Sequence, residues 1–255
     1  MSRFRPASVP TFALLLAGLV ALSRPAAAQQ QYLSPPDTTE VSDERLLELY
    51  DGLRVADVSD GMDLVGLRNV GLMDPRIQSL WKDFEKLNHQ FHGIALTVRY
   101  VPHDRVVSNP MPPDSFKQWK GRWYDEVSPE PFAEKIDPGS VVVIDASGDG
   151  AVEEVPVYLN PKKRGRGIRP GRNMLESVNR PIEVGGALVQ PGDVIVADGD
   201  GVIVVPREHA VEVARHACEV LEGDKAARRR LYERLGRPLD QTVRPGEETD
   251  EGDEP

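Results

Sequence analysis

The chain has 255 residues, of which 40% are hydrophobic, and its 31 basic and 41 acidic side chains give a net charge of −10. This length and composition suit one domain of ordinary size with a real hydrophobic core. The acidic balance argues against a nucleic-acid partner, because an acidic surface repels the phosphate backbone, and the single cysteine excludes an internal disulfide.

Residues 1–28 are predicted to be a secretory signal peptide. Arg3 and Arg5 precede the short apolar run 11–22, and an A-x-A cleavage motif stands before Gln29. A membrane anchor is the alternative, but twelve apolar residues are too few to span a bilayer. Cleavage would remove three arginines and leave a net charge of −13. We therefore expect an exported protein, periplasmic or secreted, that is free of the membrane after cleavage.

The remaining chain divides by composition into three parts. Residues 29–41 are rich in Gln, Pro and Thr and are predicted to be a linker, and 42–240 are predicted to form the folded domain. Residues 241–255 form a tail with six acidic side chains in its last nine positions. Such a tail is typically disordered and solubilising; calcium binding is the alternative role.

The first elements of the domain follow from its local patterns. Residues 42–53 are predicted to form a helix with Ser42 as its cap and a stripe of leucines on one face. A second short helix should start near Asp57 or Ser59. Residues 91–101 alternate and are rich in β-branched side chains, which predicts a strand.

The proline-rich segment 102–131 carries Trp119, Trp123 and Tyr124. It is predicted to be a loop packed by its aromatic side chains or a lid over a site, with packing the favoured role of the aromatics.

Residues 208–222 are predicted to be helical, because Val211, Ala214, Cys218 and Leu221 recur at helical spacing. Cys218 is then expected to be a small core residue rather than a nucleophile.

Residues 137–150 and 190–201 share a short internal repeat, which we call the echo: both follow the pattern P-G-x-V-x-V-x-D and continue into glycines. The pattern predicts two buried strands in a pseudo-symmetric sheet, each ending in an aspartate. Ligands of α/β sheets bind at such strand ends, and clustered carboxylates can hold a divalent ion. The alternative is that the aspartates only shape turns. The aspartates of this predicted cluster are Asp145, Asp149, Asp198 and Asp200.

A basic loop at residues 160–173 stands out in the acidic chain. Its arginines could steer an acidic substrate, and a solvated loop or a contact with another subunit is the alternative. His89, His92 and His103 flank the strand 91–101 without metal-ligand spacing, so surface or packing roles are expected. The basic side chains of the loop are Lys162, Lys163, Arg164, Arg166, Arg169 and Arg172.

Four stretches follow one another as in the RraA-like family: "ELYDGLRVADVSDGMD", "FHGIALTVRY", "IDPGSVVVIDASGDG" and "SVNRPIEVGGALVQPGDVIVADGDGVIVVPREHAVEVA". The chain resembles this family over about residues 43 to 236, most specifically over 177–206. The family contains the regulator of ribonuclease E activity A and the 4-hydroxy-4-methyl-2-oxoglutarate aldolases.

The resemblance implies an α/β/α protein with a swivelling β/β/α-type core, assembled as a homotrimer or homohexamer. It also implies a Mg²⁺- or Mn²⁺-dependent class II lyase. Such an enzyme cleaves 4-hydroxy-4-methyl-2-oxoglutarate, or decarboxylates oxaloacetate, to give pyruvate. The metal ion chelates the 2-oxo acid and stabilises the developing enolate.

One segment of the family pattern is missing from this chain. Family members insert a glycine-led loop, a helix, a strand and a Gly-x-Arg-Asp motif where this chain has only residues 146–154, and no Arg-Asp pair stands between 141 and 190. A parallel crossover needs a dozen or more residues. Either the run 155–159 pairs antiparallel through a short loop, or the sheet lacks one strand–helix unit and exposes an apolar edge.

Two functional hypotheses follow. The first is an exported metal-dependent lyase for a small 2-oxo acid, with Asp149 or Asp200 as the metal ligand and Arg166 or Arg172 as the substrate cation. The second is a non-catalytic oligomer that binds a protein or a small anion, which the missing Arg-Asp pair favours.

Overall fold

The structure is a computed structural model, and it describes residues 41–104, 110–146, 158–159, 171–240 and 242–243. The predicted signal peptide and nearly all of the predicted linker and acidic tail lie outside these residues, so their assignment stays a prediction. Among the helices of the described residues, none is long and apolar enough to cross a membrane.

The described residues form four α-helices and nine β-strands, and the predicted α/β class is confirmed. The helices are α1 (Asp43–Glu48), α2 (Val55–Leu64), α3 (Pro113–Glu126) and α4 (Ala210–Arg234). The first strands are β1 (Gln78–Ser79), β2 (Phe91–Pro102), β3 (Ser140–Asp145) and β4 (Tyr158–Leu159). The later strands are β5 (Asn173–Val178), β6 (Ile182–Val184), β7 (Ala187–Val189), β8 (Val194–Ala197) and β9 (Val202–Val205).

Strand β2 is the centre of a five-stranded mixed sheet. Along one edge it pairs in parallel with β3, from Ile94 opposite Ser140 to Arg99 opposite Asp145. Along the other edge its first third pairs antiparallel with β8 and its last third pairs antiparallel with β5. Strand β9 continues the sheet beyond β8. The predicted strand 91–101 is therefore confirmed as the strand that most of the sheet pairs with.

The two echoed segments are both strands, but they run in opposite directions. β3 and β8 flank β2 on its two edges, β3 parallel and β8 antiparallel to it. All four residues of β8 are buried, whereas β3 is only partly covered. The repeated pattern therefore predicts both strands correctly, but the expected burial is confirmed for β8 alone, and the expected pseudo-symmetry is wrong because the strands run in opposite directions.

The sheet is covered on both faces. Helices α1, α2 and α4 pack on one face of β8 and β9, and the β6–β7 hairpin packs on the other face. A third buried cluster lies where β2 meets β5. Side chains fully buried in these clusters include Leu46, Tyr50, Val58, Val98, Val189, Val194 and Val213.

The N-terminal helices form largely as predicted. Ser42 caps α1, its Oγ accepting the Arg45 backbone N–H at 3.3 Å. Helix α2 begins at Val55, earlier than predicted, because distant Asp198 accepts the Val55 N–H at 2.8 Å. The local sequence does not predict this contact, because Asp198 is distant in the chain.

The expectation of a loop or lid at 102–131 is wrong for residues 113–126, which form α3. Pro113 lies in the first turn of this helix, where a missing N–H costs nothing. The packing role of the aromatics is confirmed at Trp123, which is buried and lies with its ring 4.8 Å from that of His103 and 5.7 Å from that of Trp119.

The predicted helix over 208–222 is confirmed by α4, and its predicted stripe is confirmed in part. Ala214 is buried and Leu221 packs against the core, whereas Val211 and Cys218 are exposed, so the core role expected for Cys218 is wrong. Gly61 of α2 lies against Val213 and Ala217 and allows the backbone of α4 to approach closely. The buried face of α4 is instead made of small side chains: Ala210, Val213, Ala214 and Ala217.

The run 155–159 does not extend the central sheet through its described residues. Tyr158 and Leu159 pair antiparallel with β1 in a separate two-stranded sheet, and not with β3. Among the described residues β3 therefore has one strand partner, β2, and its outer edge carries none.

Replacing Gly61 with Ala tests the close packing of α2 on α4. A Cβ there would lie 2.7 Å from the Val213 carbonyl oxygen and 3.0 Å from the Ala217 nitrogen, and neither backbone atom can move freely. We expect Gly61→Ala to lower the free energy of unfolding by about 1–3 kcal/mol in urea titrations. Gly223→Ala is the matched control, because no atom lies within 4 Å of its added methyl, and should stabilise by about 0.5–1 kcal/mol. Equal effects at the two sites would contradict the packing account.

The buried carboxyl group of Asp193 makes the stability of the fold depend on pH. This carboxylate is 4% exposed and accepts the Gln190 and Arg207 backbone N–H groups, yet burial raises its pKa to about 6. The folded state therefore binds the proton more tightly than the unfolded state, and stability falls as the pH rises from about 4 to about 6. We expect Asp193→Asn to become more stable relative to the natural chain across that window, by at most about 3 kcal/mol. A pH-independent difference between the two unfolding free energies would show that the pKa is not raised.

Candidate functional site

The parallel pair β2–β3 brings a charged pair to the edge of the sheet where both strands end. Asp145, the last residue of β3, lies opposite Arg99 of β2, and the Arg99 Nε is 3.3 Å from the Asp145 Oδ2. The two side chains are 48% and 25% exposed, so both reach solvent. Ligands of α/β sheets bind outside the carboxyl ends of parallel strands, which makes this edge the candidate site.

Strand β5 begins at the same edge. The buried side chain of Asn173 donates a hydrogen bond to the Ala146 carbonyl at 3.2 Å and so ties the end of β3 to the start of β5. Exposed Arg172 precedes it, and its carbonyl accepts the His103 N–H at 2.7 Å. We call the group Arg99, Asp145, Ala146, Arg172 and Asn173 the carboxyl edge.

Two of the predicted site residues, Asp149 and Arg166, lie outside the described residues. In the sequence, Asp149 follows Asp145 by four positions and Arg166 precedes Arg172 by six. Their predicted roles as metal ligand and substrate cation stay predictions.

Asp198 and Asp200 lie at the turn between β8 and β9. The Asp198 carboxylate is 7% exposed and uses both oxygens, Oδ2 for the Val55 N–H and Oδ1 for the Asp200 N–H, each at 2.8 Å. The alternative that these residues shape a turn is thus confirmed for Asp198. The Asp200 side chain is exposed.

The predicted cluster of aspartates is wrong for its described members. Asp145 lies opposite Arg99, whereas Ala197, next to Asp198, lies opposite Phe91. Eight residues of strand separate these positions, about 26 Å at the usual rise. The cause is the antiparallel direction of β8, which sends its carboxyl end to the opposite end of β2.

The same geometry separates two of the predicted site residues. Arg172 lies at the end of β2 and Asp200 at its beginning, so one chain does not bring them into one site. Of the predicted residues, Asp145 and Arg172 are described at the carboxyl edge.

The described residues contain no group of three His, Cys, Asp or Glu side chains able to hold a metal ion. At the carboxyl edge Asp145 is the one described carboxylate, and its partner is the Arg99 guanidinium. Exposed Arg172 and half-exposed Arg99 are cations, which suit an anion.

Sequence reasoning missed Arg99 and Asn173. Arg99 could have been noticed as a charged side chain in the mostly apolar strand 91–102. Asn173 gave no such signal, because its role depends on where β3 ends in space.

A family model described as RraA-like, Aldolase/RraA, matches residues 151–204. A putative 4-hydroxy-4-methyl-2-oxoglutarate aldolase of Halalkalibacterium halodurans is 27% identical over 135 residues, covering 40% of this chain and 62% of the relative. Protein DlpA of Legionella pneumophila is 24% identical over 200 residues, covering 65% of this chain and 28% of DlpA. The chain thus spans less than two thirds of the length of these curated relatives.

Three solved structures share the fold. RraAS2 of Streptomyces coelicolor, described as an unusual member of the RNase ES inhibitor RraA protein family, has a TM-score of 0.53 at 19% identity, covering 74% of this chain and all of that chain. An uncharacterized protein of Pseudomonas syringae has a TM-score of 0.52 at 22% identity, and the match covers 83% of this chain and 98% of that protein. A structure described as one of novel cellulases from microbes associated with the gut ecosystem has a TM-score of 0.53 at 23% identity. The match covers 75% of this chain and 90% of that chain. At these identities the likeness shows the fold alone.

Substitutions at the two turn aspartates should differ sharply. Asp198→Ala leaves the buried Val55 N–H without its acceptor, so we expect a loss of about 1–3 kcal/mol in the free energy of unfolding. Asp200→Ala removes an exposed carboxylate and should change that free energy by no more than about 0.5 kcal/mol. Urea titration of both variants checks this, and a large loss at Asp200 would show a structural role that the described contacts do not contain.

Proposed function

We propose that this chain, which is an RraA-like protein in sequence and in fold, binds a small 2-oxo acid at the carboxyl edge and releases pyruvate from it. The reaction would be aldol cleavage or decarboxylation, on an acid such as 4-hydroxy-4-methyl-2-oxoglutarate or oxaloacetate. The name of the Halalkalibacterium relative supports this class of reaction. The single observation that carries the site is the Arg99–Asp145 pair at the carboxyl end of the parallel strands.

The carboxyl edge suits the carboxylate groups of such an acid. Arg172 is exposed, and a guanidinium pairs with a carboxylate through two parallel hydrogen bonds. Arg99 is oriented by its contact with Asp145, so its charge is held in place before a ligand arrives. Asn173 ties the end of β3, which carries Asp145, to the start of β5, which follows Arg172.

Cleavage of a 2-oxo acid leaves an enolate, whose developing negative charge needs a fixed positive partner. In this chain Arg99 and Arg172 are the described cations that can stabilise that oxygen. A divalent ion supplies this stabilisation in the chemistry that the family resemblance implies. Asp149 or Asp200 stays the proposed ligand for Mg²⁺ or Mn²⁺; within one chain Asp200 lies at the opposite end of β2 from the carboxyl edge.

A non-catalytic binding protein is the second candidate. The absence of an Arg-Asp pair between residues 141 and 190 supports it, because the sequence does not supply the motif expected for a lyase. Both candidates bind an anion at the carboxyl edge and differ in whether the bound acid is cleaved. Export and assembly as a homotrimer or homohexamer belong to the proposal in either case.

Pyruvate release and ligand binding together test the proposal. We expect the chain to release pyruvate from oxaloacetate or 4-hydroxy-4-methyl-2-oxoglutarate in a coupled assay with Mg²⁺, above a protein-free blank. Arg99→Ala and Arg172→Ala should each lower kcat/KM about tenfold or more, because each removes a charge-assisted hydrogen bond. Arg68→Ala is the matched control, an exposed arginine outside the carboxyl edge, and should keep full activity.

A thermal melt with oxalate, which resembles the pyruvate enolate, separates the two candidates. Saturating oxalate at a hundredfold its Kd should stabilise the folded state by about 2.7 kcal/mol. An upward shift without pyruvate release supports the binding protein and excludes the lyase. A chain that neither shifts nor releases pyruvate contradicts both.

A further inference from the structure

A second group of polar side chains lies at the opposite end of β2 from the carboxyl edge. Lys82 and His89 come from the segment between β1 and β2, and Gly199 comes from the turn between β8 and β9. We call Lys82, His89 and Gly199 the His89 notch.

Two side-chain nitrogen atoms lie close to the α-carbon of Gly199, which carries no side chain. A Cβ built there would lie 3.8 Å from the Lys82 Nζ and 3.9 Å from the His89 Nε2, with no other atom within 4 Å. The Lys82 ammonium donates one hydrogen bond to the Gly199 carbonyl at 2.9 Å, which leaves two of its N–H groups for another acceptor. One small ligand can therefore reach both nitrogens.

His89 is a buried side chain with an unused donor. It is 3% exposed, and its Nδ1 accepts the Asp83 backbone N–H at 3.2 Å. The neutral imidazole must then carry its proton on Nε2. Among the described residues this Nε2 has no hydrogen-bond partner, and it is not one of the atoms sealed from solvent. This donor is therefore available to an acceptor from outside the chain, either water or a ligand that displaces it.

The notch is held in shape by contacts that do not involve its own donors. The Tyr158 hydroxyl lies 2.7 Å from the His89 carbonyl oxygen and 2.9 Å from the Asp198 carbonyl oxygen, and these two acceptors share its single proton. This contact joins the two segments that form the notch. Asp83 Oδ1 accepts the backbone N–H groups of Glu85 and Lys86, each at 3.0 Å, and fixes the turn before His89. Because these donors are already positioned, binding loses little conformational entropy.

The charges around the notch select the kind of ligand. An ammonium and an imidazole N–H are both donors, and the positive charge of the ammonium favours an oxyanion as the acceptor. Both oxygens of Asp198 already accept backbone N–H groups, so that residue offers no acceptor to the ligand. The exposed carboxylate of Asp200 lies in the same turn and disfavours an anion with two charges. From this geometry we infer that the His89 notch binds the carboxylate group of a small monoanionic ligand.

This site is independent of the proposed function. The notch and the carboxyl edge lie at opposite ends of β2, about 26 Å apart along the strand. Either site can bind while the other does not. A signal read at His89 itself reports on the notch alone.

The imidazole resonances of the full chain provide that signal. Acetate and inorganic phosphate are titrated separately at constant ionic strength, and the ¹⁵N shift of the His89 Nε2 is followed by long-range ¹H–¹⁵N NMR. His89→Gln assigns the resonance among the five histidines. We expect acetate to move the His89 Nε2 saturably and phosphate to bind more weakly.

Two substitutions separate the notch from general charge effects. Lys82→Ala should weaken acetate binding about tenfold or more, because it removes a charge-assisted donor. Gly199→Ala should abolish binding by filling the notch while keeping the melting temperature, since its methyl meets only ordinary contacts and Gly199 has no left-handed φ. Lys86→Ala is the matched control in the same segment and should leave the Kd unchanged.

Three results would overturn the inference. The first is no saturable acetate response in the natural chain. The second is equal binding by the natural chain and Lys82→Ala. The third is tighter binding of phosphate than of acetate, which would exclude a monoanionic carboxylate as the ligand class. If Gly199→Ala alone fails to fold, the comparison of Lys82→Ala with Lys86→Ala still decides the question.

Discussion

The pairing of β2 with three strands is the constraint on which the rest of the structure depends. Its twelve residues hold β3 along one edge and both β8 and β5 along the other. Gly93 makes this possible near the start of the strand, because a Cβ there would lie 2.5 Å from the Gly139 carbonyl oxygen. Strands β8 and β9 carry the helical layer on one face, so the position of α2 and α4 also follows from the pairing along β2.

Because β3 and β8 run in opposite directions beside β2, polar residues at their ends cannot meet. The parallel pair places Arg99 with Asp145 at one end, and the antiparallel pair places Asp198 with Gly199 at the other. Strand β2 therefore separates two groups of polar residues, one at each of its ends. The carboxyl edge is formed by strand ends, and the His89 notch is formed by a turn and the segment that leads into β2.

Both proposed sites present cations and hydrogen-bond donors. At the carboxyl edge Arg99 pairs with Asp145 and Arg172 is exposed, and at the notch Lys82 and His89 direct nitrogen atoms toward Gly199. This occurs in a chain with an excess of acidic side chains, so local arrangement rather than net charge decides what binds. Donors and cations in such an arrangement suit the carboxylate groups of small organic acids.

The sequence by itself determined the local elements: the Ser42-capped helix, strand β2 and the two Pro-Gly strands all follow from capping, alternation and β-branched content. It also determined the RraA-like resemblance. Only the tertiary structure decided which strand ends meet, because strand direction is set by connections and pairing, and the local pattern of an antiparallel strand can equal that of a parallel one. For the same reason Cys218 is exposed and His89 is buried, since both outcomes depend on which distant backbone packs against them.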